Sequence, residues 1–283
     1  MRVYLNGAFV DESEARVSFD DRGFLFGDAV YEVIRLYDGR PFRLGAHLAR
    51  LGRSLAGVWL PALDLRQLEE VVHELAAVEG ASIPDALVYI QVSRGASPRN
   101  HPFPDPPVPP TVLAWCRPYH ALPPDQFLAG IRVVTVPDDR WAKCWIKTVN
   151  LLPNVLAKEK ARRAGADDAV FVRDGMAIEA TSANFFVVRD GAVQTAPVTN
   201  YILPGISRQV VLELAEAAGI PVRLEPVVVE DLAQVDEVFL THTGCGVEPV
   251  TTVDGRRLGP AAGPITRRLY DAFEALVRQP ESP

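Results

Sequence analysis

Four dipeptides constrain this chain more than anything else in it. Asn6-Gly7, Asp38-Gly39, Asp174-Gly175 and Asp190-Gly191 each separate two apolar stretches. Such pairs accept the positive φ values that a two-residue hairpin demands at both central positions. They predict strands at 3–5 and 8–10, at 29–37 and 41–44, and at 169–173 and 177–179, with a further strand at 185–188 turned by the last pair. Alternating or β-branched runs predict more strands at 86–93, 111–117, 131–136 and 237–241, and one closed by Lys147. Helical spacing, such as that of Leu48, Leu51 and Leu55, predicts helices at 45–58, 65–79, 154–164, 206–218 and 265–277. Strands grouped in hairpins, with helices between the groups, point to an α+β fold with mixed sheets rather than a doubly wound parallel one.

Proline punctuates this pattern. Residues 102–110 carry Pro102, Pro104, Pro106, Pro107, Pro109 and Pro110, which excludes helix or central strand and leaves a stiff extended loop. A second cluster at Pro123-Pro124 marks a boundary between a small N-terminal domain, 1–120, and a larger C-terminal one, 121–283. The 283 residues suffice for two modest domains. A net charge of −7 argues against a nucleic-acid binder. Cys116, Cys144 and Cys245 have no paired spacing, which suits a reducing compartment and gives no zinc signature. His47, His73 and His120 show no metal-ligand spacing either, so no metal is expected. No apolar run approaches the roughly 20 residues of a membrane-spanning helix, and the first residues do not read as a signal peptide. The expected location is cytoplasmic.

Several residues invite a chemical reading. The chain has 29 Lys plus Arg, of which only 143, 147, 158 and 160 are lysine. Lys147 stands beside Trp145 and Ile146, where a lysine can lose its proton and become a nucleophile but an arginine cannot. It reads equally as a strand lysine whose stem covers the core while its head reaches water. Gly205-Ile206-Ser207-Arg208 opens a helix after a proline turn, which makes an anion site or an ordinary N-cap. Thr241-His242-Thr243-Gly244 suits a phosphate or simply a turn. Glu179 is placed to accept from a protonated ring nitrogen, or to sit at the surface as most glutamates do. Arg99 and His101, held apart by a proline-stiffened loop, suit a carboxylate or form a solvated basic loop.

Taken together, five ordered blocks carry a resemblance. They are Asp21-Arg22-Gly23-Phe24-Leu25-Phe26-Gly27-Asp28 running on through Tyr31-Glu32-Val33, then His47-Leu48-Ala49-Arg50-Leu51, Ile146-Lys147-Thr148-Val149-Asn150, Glu179-Ala180-Thr181-Ser182-Ala183-Asn184 and Leu203-Pro204-Gly205-Ile206-Ser207-Arg208. Over essentially its whole length the chain resembles the fold-type IV pyridoxal-phosphate enzymes, which include D-amino-acid aminotransferases, branched-chain aminotransferases and aminodeoxychorismate lyases. The resemblance implies a two-domain homodimer with pyridoxal 5'-phosphate between the domains. It implies that Lys147 forms the Schiff base and shuttles the proton, and that Glu179 pairs with the pyridinium nitrogen. Arg50, Gly205, Ile206, Ser207, Thr243 and Ser182 would surround the phosphate and ring, and Leu203 would pack on the ring face. Tyr31 and Val33 would face the substrate.

Within the family, the loop through Arg94-Gly95-Ala96-Ser97-Pro98-Arg99-Asn100-His101 looks most like that of D-amino-acid aminotransferases. There the matching arginine and histidine reach in from the neighbouring subunit and, with the tyrosine matching Tyr31, hold the substrate α-carboxylate. The resemblance therefore implies transfer of the amino group from a D-amino acid to 2-oxoglutarate or pyruvate. A branched-chain L-aminotransferase, an aminodeoxychorismate lyase and a non-catalytic cofactor-binding homologue are the competing readings. Ala29, Ala183 and the small run Thr243-Gly244-Cys245-Gly246 depart from the family pattern and leave the substrate range open.

Overall fold

A computed structural model describes residues 1–78, 85–258 and 262–279 of the chain. It divides into two compact units. One comprises Met1–His120 with Ile146–Asn150, and the other Ala121–Trp145 with Leu151–Pro283.

The first unit contains β1 (Arg2–Leu5), β2 (Ala8–Asp11), α1 (Arg22–Phe26), β3 (Ala29–Tyr37), β4 (Arg40–Pro41), α2 (Leu44–Gly57), α3 (Leu65–Val78), β5 (Asp85–Ser93) and β6 (Thr111–Pro118). The last residue of the helix expected at 65–79 lies outside the described residues. The strands form an antiparallel sheet in the order β2-β1-β6-β5-β3-β4. Asn6 and Gly7 have φ of 51° and 95°, and Asp38 and Gly39 of 50° and 75°, so both hairpins turn as their dipeptides require. The strand expected at 41–44 is shorter than the sequence suggests. Phe42 N–H still donates to the Arg35 carbonyl (2.9 Å), and Arg43 at φ 55° then swings the chain into α2.

β3 alternates. Val30, Ile34 and Leu36 are fully buried on one face together with Glu32. Leu48, Leu51 and Leu55 of α2 are buried too, as are Leu68, Val72 and Leu75 of α3. Tyr31 and Val33 occupy the other face of β3, half-buried.

β4 pairs with the end of β3, at Leu36 and Tyr37. At the opposite end Ile146–Asn150 lies along the same strand. Tyr31 N–H donates to the Lys147 carbonyl (2.9 Å), Val149 N–H donates to that of Ala29 (3.1 Å), and Val30 bridges Thr148. Lys147 therefore does not close a strand, as its apolar neighbours suggest. It belongs to an irregular segment that is held to β3 by isolated bonds.

The second unit contains α4 (Pro124–Leu128), β7 (Ile131–Pro137), α5 (Leu152–Arg163), β8 (Asp168–Arg173), β9 (Met176–Ala180), β10 (Asn184–Arg189), β11 (Ala192–Thr195), α6 (Ile206–Ala217), β12 (Val222–Leu224), β13 (Val227–Val228), β14 (Glu237–His242), β15 (Gly246–Val253), β16 (Arg256–Arg257) and α7 (Pro264–Val277). The sheet is mixed, with β15–β7, β7–β8 and β11–β12 parallel. The path β10-β14-β15-β7-β8-β9 closes on itself where Glu179 of β9 pairs with Asn184 of β10. Val133, Val170, Phe185, Val187, Val238, Leu240 and Val250 form one apolar cluster in this unit. Among the described residues no helix is long and apolar enough to cross a membrane.

Candidate active site

In the first unit the chemistry gathers on β3 and the segment laid beside it. Lys147 N–H donates to Ser54 Oγ of α2 (3.2 Å), which fixes the backbone of the lysine against the helix. Its Nζ lies 4.3 Å from the centroid of the Tyr31 ring. Tyr31 in turn stacks on Tyr89 with ring centroids 5.6 Å apart, and Tyr89 on Trp115 at 5.0 Å. Burial, and then Tyr31 beside it, push the Tyr89 hydroxyl up to about 12, and that hydroxyl donates to Gln91 Oε1 (2.7 Å). Val33 is paired across the sheet with Tyr89, so it lines the same face as Tyr31.

The opposite face of β3 holds a buried ionic cluster. Glu32, with no exposed surface, accepts from Arg50 Nε (2.7 Å) and Nη2 (2.8 Å) and meets His47 Nδ1 at 2.8 Å. Burial pushes its carboxyl up. The charge and hydrogen bonds of Arg50, with those of His47, outweigh that and hold it at about 2. His47 moves down because burial penalises its charged form more than Glu32 favours it, with Arg50 and Lys147 adding to the depression. Arg50 is thus fixed at two of its nitrogens before any ligand is considered.

Arg99 and His101 flank one ring. Arg99 Cζ lies 5.1 Å from the Phe26 centroid, and the His101 ring 5.5 Å from it. Both residues are exposed on this chain. The backbone between them is pinned by buried Arg22, which donates to the carbonyls of Asn100 (2.6 Å), His101 (3.2 Å) and Pro102 (3.3 Å). Arg22 is oriented by Asp28 (3.0 Å), which also takes two bonds from Arg94. Sequence reasoning singled out the two outer side chains and missed this scaffold. Arg22 and Asp28 stand in a recognised block, but nothing in a linear sequence links them to a loop far along the chain.

In the second unit Glu179 is the centre. It accepts from Arg140 Nη1 (2.5 Å), Leu203 N–H (3.0 Å) and Asn184 Nδ2 (3.2 Å). Burial nevertheless dominates and raises its carboxyl above the usual range. Arg140 is shared, since Asp138 engages it at 2.8 and 3.1 Å and the Tyr201 carbonyl accepts at 3.1 Å, while its guanidinium lies 4.0 Å from the Phe171 centroid. Asp138 and Arg140 are visible in the run before Lys147, yet no periodicity marks them as buried.

Leu203 and Gly205 bear on the same point. Asn184 Nδ2 also donates to the Leu203 carbonyl (2.9 Å). A Cβ at Gly205 would collide with Asn184 Oδ1, so the close approach requires glycine. Gly205 begins α6 without any side-chain cap. The first N–H groups of the helix, at Ile206 and Ser207, are therefore available to an anion. Thr241, paired across the sheet with Asn184, has a buried Oγ1 with no hydrogen-bond partner. An orphaned buried hydroxyl beside an uncapped helix start fits a phosphate-bearing group. Thr243 is half-buried in the adjoining turn, and Ser182 is exposed.

Comparisons with known proteins agree with this chemistry. The family model for class IV amino-transferases matches residues 29–253. A D-alanine aminotransferase of Staphylococcus haemolyticus is 41% identical over 283 residues, covering 99% of each chain. One of Bacillus licheniformis is 39% identical, covering 97% of this chain and 96% of its own. Among solved structures, the branched-chain amino acid aminotransferase of Escherichia coli superposes with a TM-score of 0.87 at 27% identity, covering 98% of this chain and 94% of that one. A T.th. branched-chain enzyme solved with pyridoxamine 5'-phosphate reaches 0.88 at 29%, covering 99% and 95%. The chain belongs to the class IV aminotransferases, enzymes of the fold-type IV architecture that work with pyridoxal 5'-phosphate.

Proposed function

We propose that this enzyme transfers amino groups from D-amino acids, with D-alanine as the model donor, to 2-oxo acids such as 2-oxoglutarate or pyruvate. The observation that carries this reading is the Arg99–Phe26–His101 arrangement on a pinned loop. A guanidinium and an imidazole held beside one ring offer a carboxylate two charge-assisted bonds at fixed spacing. The full-length likeness to D-alanine aminotransferases supports the same substrate class.

Pyridoxal phosphate, when bound, supplies an electron-withdrawing ring for the substrate Cα. Lys147 would hold it covalently, and would take up and return the Cα proton. Glu179 would pair with the ring nitrogen and favour its protonated form. Ile206 and Ser207 N–H groups and the Ser207 and Thr243 hydroxyls would hold the phosphate, with Ser182 alongside and Leu203 over the ring; Arg50 is the further phosphate ligand that the family resemblance implies. Tyr31 and Val33 border the substrate. A carboxylate fixed by Arg99, His101 and Tyr31 selects which Cα hydrogen faces Lys147, and so the enantiomer.

The working form is a homodimer in which Arg99 and His101 serve the neighbouring subunit. Their exposure on one chain supports this, as do Leu152, Val155 and Leu156 of α5, exposed at 68%, 59% and 61%. Three cysteines without a disulfide suit a cytoplasmic location.

A spectral titration tests the substrate class. D-alanine should discharge the absorbance of the lysine-bound cofactor and L-leucine should leave it. The reverse would install the branched-chain reading, and pyruvate release without any amino acceptor would install the lyase.

A further inference from the structure

We propose that His242, Cys245 and Glu248 form a binding site for a zinc-class divalent cation. Their ligand atoms lie within 4.8 Å of one another. His242 Nε2 is 2.7 Å from Cys245 Sγ and 3.2 Å from Glu248 Oε2. Imidazole nitrogen, thiolate sulfur and carboxylate oxygen are the donors zinc prefers, and three protein ligands with one solvent position is a common zinc arrangement. The three side chains are half-buried, at 25% exposure for His242 and 18% for Glu248. They are dry enough to strengthen a charge interaction and open enough to admit an ion.

One hairpin supplies all three. His242 ends β14, Cys245 sits in the turn and Glu248 lies on β15. Register pairs His242 with Gly246 and Leu240 with Glu248, which makes His242 and Glu248 diagonal neighbours on one face. Zinc bond lengths of about 2.0–2.3 Å imply ligand-to-ligand edges of about 3.5 Å. The His242–Glu248 spacing is close to that, and the His242–Cys245 spacing, now 2.7 Å, must widen by about 0.8 Å.

Gly244 N–H donates to His242 Nδ1 (3.1 Å), so the neutral ring carries its proton on Nε2, between the thiol and the carboxylate. On binding, the cation takes that place, the ring proton moves to Nδ1 and the Gly244 peptide turns away. Gly244 has no Cβ to oppose that rotation. The thiol loses one proton to solvent, and the bound set, one thiolate, one carboxylate and a dication, is neutral. Nothing in this depends on the transamination reading.

The test uses tag-free holoenzyme, stripped with a chelator and dialysed against micromolar Zn²⁺. One zinc per chain should be retained, and calorimetry in buffers of different ionisation enthalpy should show about one proton released per zinc. Cys245→Ser and Glu248→Gln should each weaken binding by at least about 100-fold, with circular dichroism confirming that they fold. The second variant keeps shape and decides the matter if the first does not fold. Equal zinc in wild type and a folded variant would place the ion elsewhere, on the cofactor phosphate for example, and overturn the proposal. So would the absence of retained zinc.

Discussion

Two buried glutamates in this molecule each face an arginine, and their carboxyls move in opposite directions. Glu32 is held at about 2, whereas Glu179 is raised. Burial opposes ionisation in both. The difference lies in how the arginine is shared. Arg50 gives Glu32 two bonds, and His47 adds a third contact. Arg140 gives Glu179 one bond and commits two nitrogens to Asp138, whose own negative charge further disfavours ionised Glu179. The same residue pair thus yields a fixed anion that ties α2 to β3, and a carboxyl whose ionisation its surroundings oppose. Neighbouring charge, not residue type, separates the two.

Substitutions sharpen this contrast. Lys147→Ala sets the scale and should lower turnover by more than about 10⁴-fold while sparing both clusters. Circular dichroism and assay together check it, and full retained activity would end the assignment of Lys147. Glu179→Gln should cost roughly 10²–10⁴-fold in kcat with little change in stability. Glu32→Gln should do the opposite, destabilising by about 3–5 kcal/mol because the buried charge of Arg50 loses its carboxylate. If denaturant titrations find the two variants equally unstable, the division between structural and chemical acid fails.

Acid gives an independent view of the same cluster. A depressed carboxyl contributes stability that is complete above its ordinary value and disappears as pH falls through the folded one. The stability gap between wild type and Glu32→Gln should therefore be full above the ordinary value of 4.5 and close towards pH 2. A gap that stays constant across that window would show that Glu32 is not the titrating group.

Smaller effects are expected outside both clusters. Arg99→Ala removes a charge-assisted bond of about 1.5–3 kcal/mol, a change of roughly 10–100-fold that should appear mainly in KM. Phe26→Ala leaves both charged groups present but loosens their spacing, so a rise in KM of about 2–5-fold is expected. An Arg99 variant with unchanged KM would remove the carboxylate role from this loop.

Local rules carried much of the fold. The four turn dipeptides, the long strand through Tyr31 and the helices bearing Leu48 and Ile206 were legible because backbone preference and apolar spacing act over a few residues. Lys147 was misplaced as structure. Apolar neighbours suggest a strand, and only bonds to Tyr31, Ala29 and Ser54 show a segment anchored to β3. The closure of the second sheet at Glu179 and Asn184 had no sequence signal at all.

Short stretches of chain were enough to establish the elements, the mixed α+β class and the residue types a pyridoxal-phosphate enzyme needs, because hairpin chemistry, helical periodicity and side-chain reactivity are local properties. Folding in three dimensions was required to set how charge is shared around Glu32 and Glu179, how Arg22 pins the Arg99–His101 loop, and that His242, Cys245 and Glu248 converge on one point. Each of these depends on side chains meeting through strand register and helix packing. A carboxyl's proton affinity, in particular, is set by the charges and burial around it, and those exist only once the chain has folded.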